Sequence, residues 1–356
     1  MKTIVLTGGG TAGHVTPHLA LLPRLQADGW ETHYIGSRAG IEKDLIALHP
    51  RVHYHGIDSG KLRRYFSIKN LTDPFRVIWG FFEAFRLIHG IKPDIVFSKG
   101  GFVAVPVVAA AFFSGVPVLA HESDLTPGLA NRVSALFAKQ VATTFPECTC
   151  AIGKKGVCTG TPMREELFSG SREKGLALAG FDGKKPVLLV MGGSQGAQKI
   201  NDTLREALPL ILPQMDVLHL CGKGKLDDAY KGRLGYFQAE YLDLELPDTL
   251  AAADLVLSRA GATAIGEFLA LKKPMLLVPW PKGPSRGDQV KNADNYVSRG
   301  LALILPQADL TPDSLAEALH TLREKASCLI SAMEKVPPPF GNDDILRLID
   351  QLRKKQ

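Results

Sequence analysis

Two glycine-rich segments of this 356-residue chain have the residue types that hold an anion. The first, Gly8-Gly9-Gly10-Thr11-Ala12-Gly13-His14, follows a short apolar run, and Thr16-Pro17 then reads as a helix start. Glycine permits positive φ and close backbone approach, and the N–H groups of a helix N-terminus attract negative charge. The segment is either a phosphate cradle or a purely structural turn. Its spacing is not Gly-x-Gly-x-x-Gly, and no acidic residue closes the second strand where a dinucleotide ribose needs one. His14 stands at the tip of the loop. An imidazole near a helix N-terminus tends to stay neutral and can accept a proton, so His14 is a candidate general base. The second segment, Gly192-Gly193-Ser194-Gln195-Gly196-Ala197, repeats the pattern, with the Ser194 hydroxyl as an added donor. Arg164, in Thr161-Pro162-Met163-Arg164, is a cation for the same charge or a solvated helix-start residue.

Four other segments place polar groups after apolar runs. Ser98-Lys99-Gly100-Gly101-Phe102 and His121-Glu122-Ser123-Asp124-Leu125-Thr126-Pro127-Gly128 fall where parallel sheets bind ligands, or are ordinary turns. Glu122 and Asp124 are reserves for the role of base. Glu267 lies about one turn into a helix that opens after Ser258-Arg259-Ala260-Gly261, where a carboxylate can pair with ribose hydroxyls. Gln289 sits in the first turn of a helix that Asp288 can cap. Cys148, Cys150 and Cys158 cluster without a histidine or fourth cysteine at zinc spacing, and the nearest Asp-x-Asp-like clamp is Asp243-Leu244-Glu245. No metal and no cofactor is therefore expected.

The elements that must position these groups alternate. Apolar runs at Thr3–Thr7, Thr32–Gly36, Val52–Ile57, Asp94–Ser98, Val116–His121 and Gln140–Thr144 are separated by helical patterns such as Ile41–Leu48, Ala104–Phe113 and Leu129–Phe137. That order predicts parallel βαβ units. The pattern restarts at Pro186, with strands at Val187–Met191, Val217–Leu220, Leu255–Ser258, Met275–Val278 and Ala302–Leu305. The fold class is α/β, with two Rossmann-like, doubly wound, parallel-sheet domains. A boundary near Gly160–Arg164 gives domains 1–162 and 163–341. The terminal stretch, 342–356, reads as a helix able to rejoin the first domain.

Composition excludes two other classes. With 45% hydrophobic residues and a net charge of only +6, the chain is not disordered. Its longest apolar runs fall short of the ~18 residues of a membrane-spanning helix. Five cysteines and no export signal read as a reducing, cytosolic compartment. Residues 1–163 hold 17 Lys and Arg against 11 Asp and Glu, and the rest is balanced at 25 against 25. The basic excess of the first half predicts an anionic partner there. Lys61, Arg63, Arg64, Lys69 and Arg76 precede or enter a helix rich in aromatics, from Phe75 through Ile78, Trp79, Phe81 and Phe82 to Phe85. Phe75, Ile78, Phe82 and Phe85 share one stripe, with Trp79 and Phe81 beside or outside it. The helix is either wholly core or a membrane-surface patch made of Arg76, Ile78, Trp79, Phe81 and Phe82.

The ordered set of loops resembles the MurG family of glycosyltransferases. The matching pieces are GGGTAGHVTP at Gly8–Pro17, GGF at Gly100–Phe102, HESDLTPGLANR at His121–Arg132, GTPMR at Gly160–Arg164, GGSQGA at Gly192–Ala197, SRAGATAIGE at Ser258–Glu267 and DQVKNA at Asp288–Ala293. They run in the family's order almost end to end. The resemblance implies a GT-B architecture, two domains facing across a cleft. It implies inverting transfer of GlcNAc from UDP-GlcNAc to the 4-hydroxyl of MurNAc in lipid I, giving lipid II for peptidoglycan. The donor site would comprise Thr11, Ala12, Gly13, Asp124, Arg164, Ser194, Leu242, Ala262, Thr263, Glu267 and Gln289. The acceptor site would comprise Gly10, His14, Gly100 and Gly101. Ala12 replaces the second glycine of the commoner GGTGGH, and Asp124 stands where the commoner HEQN has an asparagine. The partners implied are UDP-GlcNAc, lipid I and anionic inner-leaflet lipids, without nucleic acid. The implied location is the cytoplasmic face of the membrane, held peripherally.

Rival readings separate on the same features. A UDP-GlcNAc 2-epimerase shares the architecture but needs no basic, apolar patch. A dinucleotide oxidoreductase needs a better glycine fingerprint. A membrane scaffold needs the patch but not paired phosphate loops.

Overall fold

The computed structural model describes residues 2–60, 69–193, 195–283, 287–337 and 339–354, and of residues 69–75 the backbone alone. Ser194, Lys61, Arg63 and Arg64 lie outside the described residues. The chain divides into two compact units, Met1–Arg164 with Phe340–Gln356, and Glu165–Pro339.

In the first unit, strands β1 (Lys2–Gly8), β2 (Trp30–Ser37), β3 (Val52–Ile57), β4 (Ile95–Gly100), β5 (Val118–Glu122), β6 (Gln140–Thr143) and β7 (Gly156–Cys158) form one parallel sheet. Their order is β3-β2-β1-β4-β5-β6-β7. The central strands are continuous apolar runs because both faces are covered. One face packs Ile4, Leu6, Leu21 and Leu25 with Ile345, Ile349 and Leu352 of the terminal helix Asn342–Leu352. The other packs Val5, Val96 and Val118 against Ala84, Ile88 and the helix Ala104–Phe113. The Asn342 amide fixes the chain's return. It accepts from Met163 N at 2.9 Å and donates to Met163 O at 2.9 Å.

In the second unit, β8 (Val187–Met191), β9 (Asp216–Leu220), β10 (Tyr236–Ala239), β11 (Leu255–Ser258), β12 (Met275–Leu277) and β13 (Leu303–Ile304) form a parallel sheet ordered β10-β9-β8-β11-β12-β13. The strand order reverses between β1 and β4, and again between β8 and β11. Such switch points open a crevice beyond the carboxyl ends of the strands.

The structure adds β7 and β10 to the strands expected from sequence. Both lie at sheet edges, where half-exposed residues such as Gly156 and Val157 carry no apolar run. The helix Lys69–Ile91 also turns differently from the expected stripe. Gly80, Ala84 and Ile88 are its buried seam, flanked by half-buried Phe81 and Phe85. Small residues set this contact: a Cβ on Gly80 would lie 2.1 Å from Asp58 O. Ile78, Trp79 and Phe82 are thereby turned outward, 55%, 61% and 59% exposed. Phe81 does not belong with them, because it packs inward on Phe85 and Phe113.

Candidate active site

The first site grows from the β1/β4 switch point. β1 ends in Gly8-Gly9-Gly10, and the chain makes a 3-10 turn at Ala12–His14 before the helix Thr16–Ala27. His14 therefore lies in a tight turn ahead of the helix rather than in its first turn. Its Nδ1 is 3.0 Å from Gly9 O and 3.1 Å from Thr11 Oγ1. A proton on Nδ1 donated to Gly9 O makes Nε2 the basic nitrogen of the ring. Gly10, Thr11 and Gly13 are exposed on the loop, and Ala12 is half-buried.

The loop is held from below by Glu42, a residue the sequence did not mark. This carboxylate is 1% exposed and accepts from Gly10 N, Ser37 N and Ser37 Oγ. A Cβ on Gly9 would meet it at 2.6 Å. Gly100 and Gly101, at φ +83° and +86°, carry β4 past this loop, and a Cβ on Gly101 would lie 2.3 Å from Gly9 O. The loops after β1 and β4 are therefore in contact.

The loop after β5 is organised by Glu122, which is 5% exposed. Its Oε1 accepts from Asp124 N at 3.0 Å. Its Oε2 accepts from Gly128 N at 2.8 Å and Asn131 Nδ2 at 2.9 Å. This corrects the sequence reading of Glu122 as a base: both oxygens are occupied by donors that shape the turn. Asp124 is half-buried on that turn. Arg164, half-buried at the end of the unit, follows the residue gripped by Asn342.

In the second unit the loop after β8 leads into the helix Gln198–Ile211. Gly193 and Gly196 adopt φ +89° and +67°, and a Cβ on Gly196 would strike Cys221 O at 1.9 Å. After β11 the chain enters the helix Ala262–Ala270 through Gly261. Thr263 and Glu267, four residues apart, share its half-buried face, and Ala262 is buried at its start. Gln289 opens the helix Asp288–Ser298, and its Oε1 accepts from Trp280 N at 2.9 Å. That contact leaves the amide NH₂ to present to a ligand. Arg259 ties these loops together. It donates to Val278 O at 2.9 Å and to Gln307 Oε1 at 2.6 Å, with its guanidinium 5.3 Å from the Trp280 ring centre. Burial lowers Arg259 to about 10. Leu242 is half-buried in the loop after β10.

Residues 4–143 match the glycosyltransferase family 28 N-terminal domain and residues 187–344 its C-terminal domain. The chain belongs to glycosyltransferase family 28. Within the family it is 52% identical to a UDP-N-acetylglucosamine--N-acetylmuramyl-(pentapeptide) pyrophosphoryl-undecaprenol N-acetylglucosamine transferase of Geobacillus thermodenitrificans, over 98% of this chain and 97% of that protein. The protein of that name from Clostridium kluyveri is 49% identical over 99% and 100% of the two chains. The crystal structure of Acinetobacter baumannii MurG superposes with a TM-score of 0.75 at 27% identity, covering 99% of this chain and 100% of that one. A UDP-GlcNAc 2-epimerase from Neisseria meningitidis reaches a TM-score of 0.69 at 13% identity over 99% of each chain, a likeness of fold alone. Family membership and the two parallel sheets make this a GT-B glycosyltransferase.

Proposed function

We propose that the chain transfers GlcNAc from UDP-GlcNAc to the 4-hydroxyl of MurNAc in undecaprenyl-pyrophosphoryl-MurNAc-pentapeptide, with inversion, to make lipid II. The observation that carries this reading is the 52% identity, over almost the whole chain, to a transferase named for that donor and acceptor. The epimerase alternative rests on structures 13% identical.

In this reading residues 1–162, with 342–356, serve the acceptor, and residues 163–341 serve the donor. Glu267 meets the ribose, Leu242 the uracil, Gln289 the GlcNAc, and Arg164 and Ser194 the diphosphate, with Ala262 and Thr263 also in the UDP-GlcNAc site. Thr11, Ala12, Gly13 and Asp124 line the transferred sugar, while Gly10, Gly100 and Gly101 receive the acceptor pyrophosphate. The acceptor oxygen bonds to the anomeric carbon as the bond to the UDP oxygen breaks. His14 Nε2 takes the hydroxyl proton, and UDP leaves with the electron pair. Cationic and backbone N–H groups stabilise that departing charge.

No helix among the described residues is long and apolar enough to cross a membrane. The acceptor's polyprenyl chain stays in a bilayer, so the reading needs a docking face on its cytoplasmic side. Ile78, Trp79 and Phe82, with exposed Arg76, supply it, joined by Phe112 and Phe113 at 50% and 63% exposure. Anionic lipids are the matching surface.

The test is product analysis with UDP-GlcNAc and a polyprenyl-pyrophosphoryl-MurNAc-pentapeptide. The expected product is the β-linked disaccharide lipid with one UDP released per transfer. Formation of UDP-ManNAc without lipid glycosylation would establish the epimerase instead.

A further inference from the structure

One buried ionisable group has no part in the reaction as written above. Lys99 is 1% exposed, among the largest fully buried side chains of the molecule. An amine in a sheet core is costly unless it is partnered, so its partners indicate its task. In the β1/β4 register Thr7 pairs with Ser98 and Gly8 with Gly100, which leaves Lys99 as the extra residue of a β-bulge. Bulges re-aim side chains and recur beside active sites. Here the bulge sends the amine across to β5. Nζ donates to His121 Nδ1 at 2.7 Å and to Ser123 Oγ at 2.5 Å. With Nδ1 accepting, His121 is neutral, and its Nε2–H donates to Gly160 O at 2.8 Å.

The titratable groups facing the amine are Glu122 and Asp124, whose carboxylates favour its protonation, and His121 and His18, whose own protonation its charge disfavours. Glu122 is already fixed by three donors, as described above. Asp124 is the second carboxylate that favours the charged amine, and it lies on the same turn as Ser123.

We infer that Lys99 is a positioning residue for transfer: from its bulge it clamps the Ser123 turn and supplies the positive charge that holds Asp124 in its working position. This rests on the GlcNAc-transfer reading for its consequence, but not for its geometry. Burial brings the amine down to about 7. The clamp is therefore charged below neutrality and loses its charge as pH rises through that value.

The experiment uses the full chain with UDP-GlcNAc and the lipid acceptor, comparing Lys99→Met, Asp124→Asn and the double variant. Lys99→Met should lower kcat/KM about 10–100-fold at pH 6.5 and less at pH 8.5, with the alkaline limb near pH 7 gone. Asp124→Asn should cost several-fold less in the Lys99→Met background than alone. A folded Lys99→Met protein with the original pH profile and additive costs would overturn the inference. A second measurement covers failure to fold: NMR titration of ¹³Cε-labelled lysine in the unsubstituted protein and in Asp124→Asn. The Lys99 midpoint should move down when the carboxylate is removed, and an unmoved midpoint also overturns the inference. If the unsubstituted protein makes no disaccharide lipid, the transfer reading fails while this titration still decides the Lys99–Asp124 coupling.

Discussion

His14 and Glu267 are assigned to different steps, so their variants should fail differently. His14→Ala should lower kcat by about 10²–10⁴, the span for a lost acid–base group, with donor KM little changed. Glu267→Ala removes hydrogen bonds from a charged group, each worth ~1.5–3 kcal/mol, and should raise the UDP-GlcNAc KM by roughly 10–100-fold. The lipid KM should stay within about twofold, since a ribose contact has no part in acceptor binding. Steady-state kinetics varying each substrate in turn separates the two. Equal effects of Glu267→Ala on both substrates would defeat its assignment, and a near-normal kcat for His14→Ala would move the base to Asp124. The residues proposed to meet ligand were singled out in the sequence because glycines, His14 and Glu267 advertise their chemistry by type and place. The residues beneath them were not. Glu42 looks like any acidic helix residue, and Lys99 reads as a loop lysine until strand register makes it a bulge. Asn342 gains meaning only from Met163, 179 positions away.

At the scale of elements, most strands were legible because strands covered on both faces are uninterrupted apolar runs. The edge strands β7 and β10 were not: Gly156–Cys158 is only three residues long, and Tyr236–Ala239 buries Tyr236 alone, so neither leaves that mark. The helix Lys69–Ile91 is a different case. Its aromatic residues left it open between a wholly buried helix and an outward patch, and the pattern did not mark the seam, which is Gly80, Ala84 and Ile88, with Gly80 and Ala84 letting the helix approach closely. The outward aromatics are then available to a bilayer. Each contributes about 25 cal/mol per Å² of inserted apolar surface, which salt leaves intact, while each nearby basic residue adds about 1 kcal/mol that salt screens. Trp79→Ser with Phe82→Ser should reduce sedimentation with anionic vesicles without lowering the melting temperature. Phe81→Ser should lower the melting temperature instead, since that ring joins Phe85 and Phe113. Unfolding of the first pair would make the helix wholly core.

The whole molecule carries buried neutral histidines in both units. Burial, and then Lys99, lowers His18 to about 3. Burial, and then Arg205, lowers His219 to about 3. Burial also holds His121 well below the usual range. The unfolded chain protonates these rings near 6.5 and the native one does not, so below that value the unfolded state binds more protons. Stability should fall as pH drops from about 6.5 toward 3, by up to about 1.4 kcal/mol per unit for each ring. Urea midpoints at pH 7.5 and 5.0 with unchanged m-values measure this, and equal midpoints would refute it. The return of the terminal helix has a consequence for biosynthesis. The second unit is an insertion within the first, and the bridge from Thr161 to Phe340 joins the insertion's two ends. On the ribosome, the inserted unit is complete while the host still lacks Ile345, Ile349 and Leu352. Leu21 and Leu25 cover part of that face of the first sheet beforehand, and its covering is completed only when the helix Asn342–Leu352 emerges. The host's closure lies outside the insertion, so another domain with its ends equally close could replace the second unit without opening that core.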